Sequence, residues 1–335
     1  HEIDMSSGSL LKKIILFSIP LMLSGILQLL YNAADTIVVG RYTGSTALAA
    51  VGSTGSLINL IINMFMGLSV GTSVLVAQYY GAKDRENVSE VVHTAIGASV
   101  IFGIIASIIG IGMAGLFLQA MGTPEEVLKY STLYMQIYFA GMPASMVYNF
   151  GSSILRAIGD TKRPLIFLSV SGFVNVILNL VFVIAFDMGV AGVATATVVS
   201  QVISAVLVVL CLMKADGCYQ LRLHDIKIHK DKLLKMMKIG IPAGLQSSIF
   251  SISNVLIQSS VNSFGKLAMA GNTASSNIDG LIYIATNSFY HAALAFTGQN
   301  VGAKKYERIG RVLGICILLA TVVGSFLGVL SYVFG

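Results

Sequence analysis

The chain has 335 residues, of which 55% are hydrophobic and only 11% charged, with a mean hydropathy of +0.83. Soluble domains carry about 25% charged residues, so a soluble globular protein is excluded, and the apolar runs are long enough for spanning helices rather than barrel strands. The net charge of +6 does not mark a nucleic-acid binder, because the basic residues fall in short segments between apolar runs, where membrane topology accounts for them.

Nine spans are expected, at about 14–39, 46–80, 88–118, 128–155, 164–186, 188–213, 236–263, 268–302 and 309–334. The first contains no Lys, Arg or His, and Asp35 is its only ionised group. A carboxylate at such depth costs roughly 2.5–3.5 kcal/mol on insertion scales. Gln28, Tyr31, Asn32 and Asp35 share one helix face by their spacing. A polar stripe of this kind must face protein or water, because lipid would leave it unsatisfied. Small residues recur inside the spans, which suits close helix packing. Pro20, Pro143 and Pro242 lie in or at the start of spans, where they can kink them. In the fourth span Tyr134, Tyr138 and Met142 follow helical spacing, and Tyr138 with Asn149 is a candidate for lining a cleft. The fifth span carries Ser171, Asn175 and Asn179 on one face. Entering near Pro164, Asn175 lies ~17 Å and Asn179 ~23 Å along its axis, and Thr197 lies ~14 Å into the sixth span, which runs the other way. Asp35, Asn175, Asn179 and Thr197 therefore converge on the middle to outer half of the membrane, a set of oxygen ligands suited to Na⁺. A desolvated Asp serves equally as a proton carrier.

Basic residues set the orientation. With the N-terminus in the cytoplasm, 18 of the 21 Lys and Arg fall in cytoplasmic segments, which places the chain in an inner or plasma membrane with that end inside. Lys12 and Lys13 precede an apolar run too long for a cleavable signal. Cys211, Cys218 and Cys316 have no metal-like spacing, so neither a disulfide nor a cofactor is expected.

The chain also repeats itself. Gln78 to Lys83 (QYYGAK) returns as Gln299 to Lys304 (QNVGAK), Ile19 and Pro20 as Ile241 and Pro242, and Leu48 to Thr54 as Leu267 to Thr273, at offsets of 221, 222 and 219 residues. Three matches in order indicate a duplicated unit whose copies run parallel. The expected fold is thus all-α and polytopic, with a first lobe of six spans over 1–213, a basic linker over 214–235, and over 236–335 the first three spans of a second lobe expected to have six.

Only Asp35 and Asp279 among the acids sit well inside spans, and no Lys or Arg lies deep in any. Two such acids without a fixed cationic partner are expected to be neutralised by a proton, a metal cation or a cationic ligand. Gln246 and His291 join Asp279 as second-lobe candidates. Arg156, Asp160, Lys162 and Arg163 read as topology anchors. The basic stretch from Lys214 to Lys238 reads as a solvated linker near anionic headgroups.

Tyr31 to Gly40 (YNAADTIVVG), Leu155 to Pro164 (LRAIGDTKRP), the Asn175 and Asn179 pair and the two QxxGAK segments together resemble the multidrug and toxic compound extrusion (MATE) family. That resemblance implies two six-helix lobes around a cleft, alternating access, and export of organic cations against Na⁺ or H⁺ by a monomer in the lipid bilayer. It makes Asp35 the coupling acid, with Gln28, Tyr31, Asn175 and Thr197 in the first-lobe polar cluster. Many members carry a second Asp where Asn179 stands, and some place a Glu in the seventh helix, where this chain has no acid. The alternatives are a lipid-linked oligosaccharide flippase of the same superfamily, which should need basic cleft residues for pyrophosphate, and an intramembrane enzyme, which should need a nucleophile–base pair or facing acids. A channel fits a two-lobe duplication poorly.

Overall fold

The computed structural model describes residues 2–262 and 266–334, and the side chains of all of these except 53, 255, 258, 259, 261, 262, 266–274, 276–278 and 334. Its α-helices are α1 (Leu10–Tyr42), α2 (Ser45–Gly81), α3 (Arg85–Ala120), α4 (Glu125–Ala140), α5 (Met142–Ala157), α6 (Lys162–Leu180), α7 (Gly189–Met213), α8 (Lys230–Asn262), α9 (Lys266–Gly302) and α10 (Tyr306–Phe334). Among the described residues, six helical stretches are long and apolar enough to cross a membrane. The Leu267 to Thr273 echo falls on side chains outside those described, Leu267 to Asn272 and Thr273 included.

Two expectations need correction. The fourth span is two helices, α4 and α5, separated by a turn at Gly141. Pro143 has no N–H to donate back into α4, so the ladder stops there. The freed Phe139 carbonyl accepts from Ser107 Oγ on α3 at 2.5 Å. A Cβ at Gly103 would overlap the Pro143 backbone, and one at Gly110 would overlap the Phe139 ring, so α3 presents two bare positions on which the break rests. The second correction is that α8 begins at Lys230. The basic residues Lys230 to Lys238 form its first turns instead of lying in a linker or outside the span expected at 236.

The sequence sorts its apolar residues into two clusters. The larger joins α2, α3, α4, α5 and α7 around Met135, Phe139, Met146 and Phe150, and takes in Val38 and Val39 from the far end of α1. The smaller joins Leu10, Ile14, Phe17 and Leu21 from the near end of α1 to Phe289 and Phe296 of α9 and Val312 of α10. Its centre is an edge-to-face pair, Phe17 with Phe296, at 5.7 Å. One helix therefore belongs to both bundles, with Pro20 inside the half that serves the smaller one.

α2 also packs along α8, whose Met236 joins the larger cluster, and along α9, which carries the smaller one. Here backbone lies on backbone. A Cβ at Gly67 or Gly71 would strike Gly244 or Met236, and a Cβ at Gly81 or Gly302 would strike Gln299 or Gln78. Gly67 and Gly71, like Gly240 and Gly244, are four residues apart, the small-residue spacing that lets spanning helices approach closely. Asn63 Nδ2 donates to Ser251 Oγ at 2.9 Å further along the same seam.

At one end of the molecule, called the basic end below, residues 2–9 form a strap across both bundles. Glu2 accepts from the hydroxyls of Tyr80 (2.6 Å) and Tyr219 (2.5 Å), and Ile3 N donates to the Gly159 carbonyl (3.3 Å). From the other bundle, Asn300 Nδ2, Lys305 Nζ and Arg308 Nη2 donate to the carbonyls of Met5, Ser6 and Gly8 at 3.1, 2.7 and 3.1 Å. Asp4 turns the strap. The Ser7 hydroxyl above all, with Ser6 and Lys13, holds its carboxyl down at about 2, so the turn keeps its charge until pH falls through that value. Asn300 is fully buried. Asn300→Leu leaves the Met5 carbonyl without its donor and is expected to cost about 1–3 kcal/mol, read as a lowered midpoint in thermal unfolding. An unchanged midpoint would show that the strap does not depend on this bond.

Candidate functional site

Away from the basic end, three helices bring a chain of polar groups together. Asp35 projects from α1. Asn179 Nδ2 on α6 donates to Asp35 Oδ1 and also to Asn175 Oδ1, the latter at 3.1 Å. Asn175 Nδ2 donates in turn to Ser200 Oγ on α7 at 3.4 Å, and that hydroxyl donates to the Thr197 carbonyl at 2.7 Å. The four-residue spacing of Asn175 and Asn179 stacks them on one face, as a regular helix must. α6 then leaves the α-form directly after Leu180, in a π-helical turn over Val181–Ala185. Such turns are rare and are often found at functional sites.

Burial makes this chain of bonds consequential. Asn179 is fully buried and Asn175 and Ser200 nearly so. Asn179 Oδ1 has no hydrogen-bond partner. An orphaned buried carbonyl oxygen costs free energy unless something accepts its lone pairs. Asp35 has no Lys, Arg or His ion partner among the described residues; the ion pairs seen there involve Asp160, Asp225, Glu90 and Asp231. A carboxylate with an unpartnered amide oxygen beside it offers two hard oxygen donors to a small cation and no counter-charge of its own.

The remaining sequence candidates divide. Tyr31 packs rather than lines: its hydroxyl donates to the Ser169 carbonyl at 3.2 Å, and its ring fills the space where Gly172 lacks a Cβ. It fixes α1 on α6 and so sets where Asp35 points. Thr197 spends its hydroxyl on the Val193 carbonyl of its own helix at 3.1 Å, and the α7 side chain that joins the cluster is Ser200. Asn149 likewise bonds the Ser145 carbonyl of its own helix at 2.8 Å. Gln28 and Asn32 are exposed on α1. Tyr138 stacks with Tyr134 at 6.3 Å, and Tyr134 lies within electrostatic reach of Asp35. The second-lobe candidates stay apart. Gln246 and Asp279 are exposed. His291 sits against the Tyr290 ring at 5.5 Å and within electrostatic reach of Arg156 across the seam. No hydrogen bond among the described residues joins any of the three to Asp35. Asp160 tethers the start of α6, accepting from the backbone of Lys162 and Arg163 and pairing with the Arg163 guanidinium at 3.2 Å.

A sheath of apolar helices around one carboxylate and its amides defines a membrane transport protein. The chain belongs to the MatE family of transporters, which it matches over residues 20–181 and 242–335. It is 31% identical to the probable multidrug resistance protein YoeA of Bacillus subtilis, over 98% of this chain and 73% of that protein. It is 24% identical to the multidrug export protein MepA of Staphylococcus aureus, over 76% of this chain and 56% of that protein. Among solved structures it is similar to an outward-facing multidrug resistance MATE family transporter of the MOP superfamily. That similarity has a TM-score of 0.90 and 27% identity, and covers 98% of this chain and 73% of the other.

Proposed function

We propose that the chain carries the ion-handling lobe of a secondary active exporter of small organic cations, in which Na⁺ or H⁺ entry at Asp35 drives release of the substrate. The observation that carries this reading is the Asp35–Asn179 contact, a carboxylate without a cationic partner beside an orphaned amide oxygen. A Na⁺ would take oxygens from both side chains; a proton would sit on Asp35 and leave the Asn175–Asn179–Ser200 chain to rearrange. Either event alters what α1 can contact on α6. The same helix carries Ile14 and Phe17 into the cluster shared with α9 and α10, so a shift of α1 is felt at the seam between bundles. The protein works as a monomer in an inner or plasma membrane with its basic end toward the cytoplasm, as the distribution of Lys and Arg supports. The seam and strap then close that side, and the substrate leaves from the other.

The test is transport of ethidium by the complete protein in proteoliposomes, with Na⁺ and H⁺ gradients imposed separately. Export is expected to follow one of the two gradients and to vanish without both. Export indifferent to either gradient overturns the reading.

A further inference from the structure

The connection between α7 and α8 is fastened to α3 more firmly than a linker requires. His93 on α3 is buried and uses both ring nitrogens. Nδ1 lies 2.7 Å from the Ser89 carbonyl and so carries the proton, while Nε2 accepts from the Arg222 backbone N–H at 3.1 Å. One residue on, Thr94 Oγ1 accepts from the His229 N–H at 3.1 Å and donates to the Lys227 carbonyl at 3.4 Å. Ile226 meets the flank of α3 at Gly97. These clamps hold the connection over the first turns of α3 and leave a cavity of about 350 Å³ between them.

The chemistry of the cavity is that of an anion site. Arg85 and Arg222 both line it, and neither guanidinium has a hydrogen-bond or ion-pair acceptor among the described residues. Ser89 and Gln220 add neutral polar groups. Of the two acids on its wall, Glu90 is paired with Lys232 at 3.4 Å, and Asp225, half-exposed, lies 3.6 Å from the His224 ring, so the two guanidiniums outnumber the one carboxylate without a Lys or Arg partner. Two guanidiniums on one cavity lining therefore have no acceptor among the described residues, a pair that suits phosphate oxygens. Beside them Leu223 is 55% exposed, and Ile226 36% exposed. Exposed apolar side chains next to Arg222 and Asp225 in the chain, on the connection that walls a basic cavity, match a ligand that is charged at its head and oily below it.

We propose that this cavity binds the phosphate of an anionic phospholipid headgroup, with Arg85 and Arg222 on its oxygens and the exposed Leu223, beside Arg222 in the chain, toward its acyl chains. The site lies on the connection between the bundles, so an occupied cavity ties that connection to the lipid surface. Near a membrane each such charge contributes roughly fivefold in affinity.

The test is lipid retention by the full chain, read by native mass spectrometry after release from vesicles of equal phosphatidylglycerol and phosphatidylcholine content. Wild type is compared with R85Q/R222Q and with K12Q/R311Q, which removes the same charge from the same end; thermal unfolding confirms that both variants are folded. Wild type and K12Q/R311Q are expected to retain one phosphatidylglycerol, and R85Q/R222Q to lose it by on the order of 25-fold. Equal loss from both variants, loss from neither, or equal retention of phosphatidylcholine overturns the proposal. So does thermal stabilisation of wild type, but not of R85Q/R222Q, by millimolar inorganic phosphate without any phosphatidylglycerol preference, since the anion would then come from solution.

Discussion

Asp35→Asn is expected to abolish ion-coupled export while the protein still inserts and folds. The substitution keeps the shape of the side chain and leaves an oxygen to accept from Asn179 Nδ2, so the bonds that hold α1 against α6 persist. What disappears is the charge. A coupling ion biases two conformations only by the difference in its affinity for them, and a neutral amide offers a cation almost none. Export driven by the gradient identified in proteoliposomes should fall by on the order of 100-fold, the effect of a few kcal/mol of lost ion binding. The thermal midpoint should stay within about 4 °C, because a charge-assisted bond is exchanged for a neutral one worth about 1 kcal/mol less. Full gradient-driven export by this variant would remove Asp35 from the coupling step.

The second large effect lies at the seam. Gly67→Ala or Gly244→Ala places a methyl group where the facing backbone already is. No side chain is present there to move aside, so the helices themselves must separate, at a cost of about 1–3 kcal/mol for each overpacked position. Separation at this point opens the basic end. A Thr72→Cys reporter, placed at a fully buried position on α2 in a background free of other cysteines, should react with a maleimide roughly tenfold faster for each 1.4 kcal/mol of closure lost. Labelling at the unmodified rate would show that the two helices tolerate the added methyl group without parting.

The parts of this protein that are legible in its sequence are those fixed by helical period and by charge. The one-sided spacing of Asn175 and Asn179, and their depth along a regular helix, lead to the contact with Asp35 without coordinates. Ser200 does not emerge in this way. Its helix also carries Thr195, Thr197 and Ser204, and depth alone favours Thr197. Both Thr197 and Ser200 donate to carbonyls of their own helix; the choice turns on which hydroxyl oxygen is placed to accept from Asn175, and this depends on packing. The π turn after Leu180 leaves no mark in the sequence. The strap is hidden for a different reason. Glu2 to Gly8 has no periodicity, and its bonds reach residues as far along the chain as Arg308. Pro143 hints at a kink, but the full break at Gly141 depends on bare positions along α3 that only packing reveals. Gln246, Asp279 and His291 read as candidates because intramembrane polar residues are costly, yet cost alone does not say which of them meet.

The division of α1 between the two apolar clusters has a practical consequence for anyone wishing to study the lobes singly. A fragment ending before α8 would carry Leu10, Ile14, Phe17 and Leu21 with nothing to cover them, and its opposite number would expose Phe289 and Phe296. Each piece would be sticky on the same matching surface. Co-production of both fragments, rather than purification of either, is the route by which they can be expected to behave.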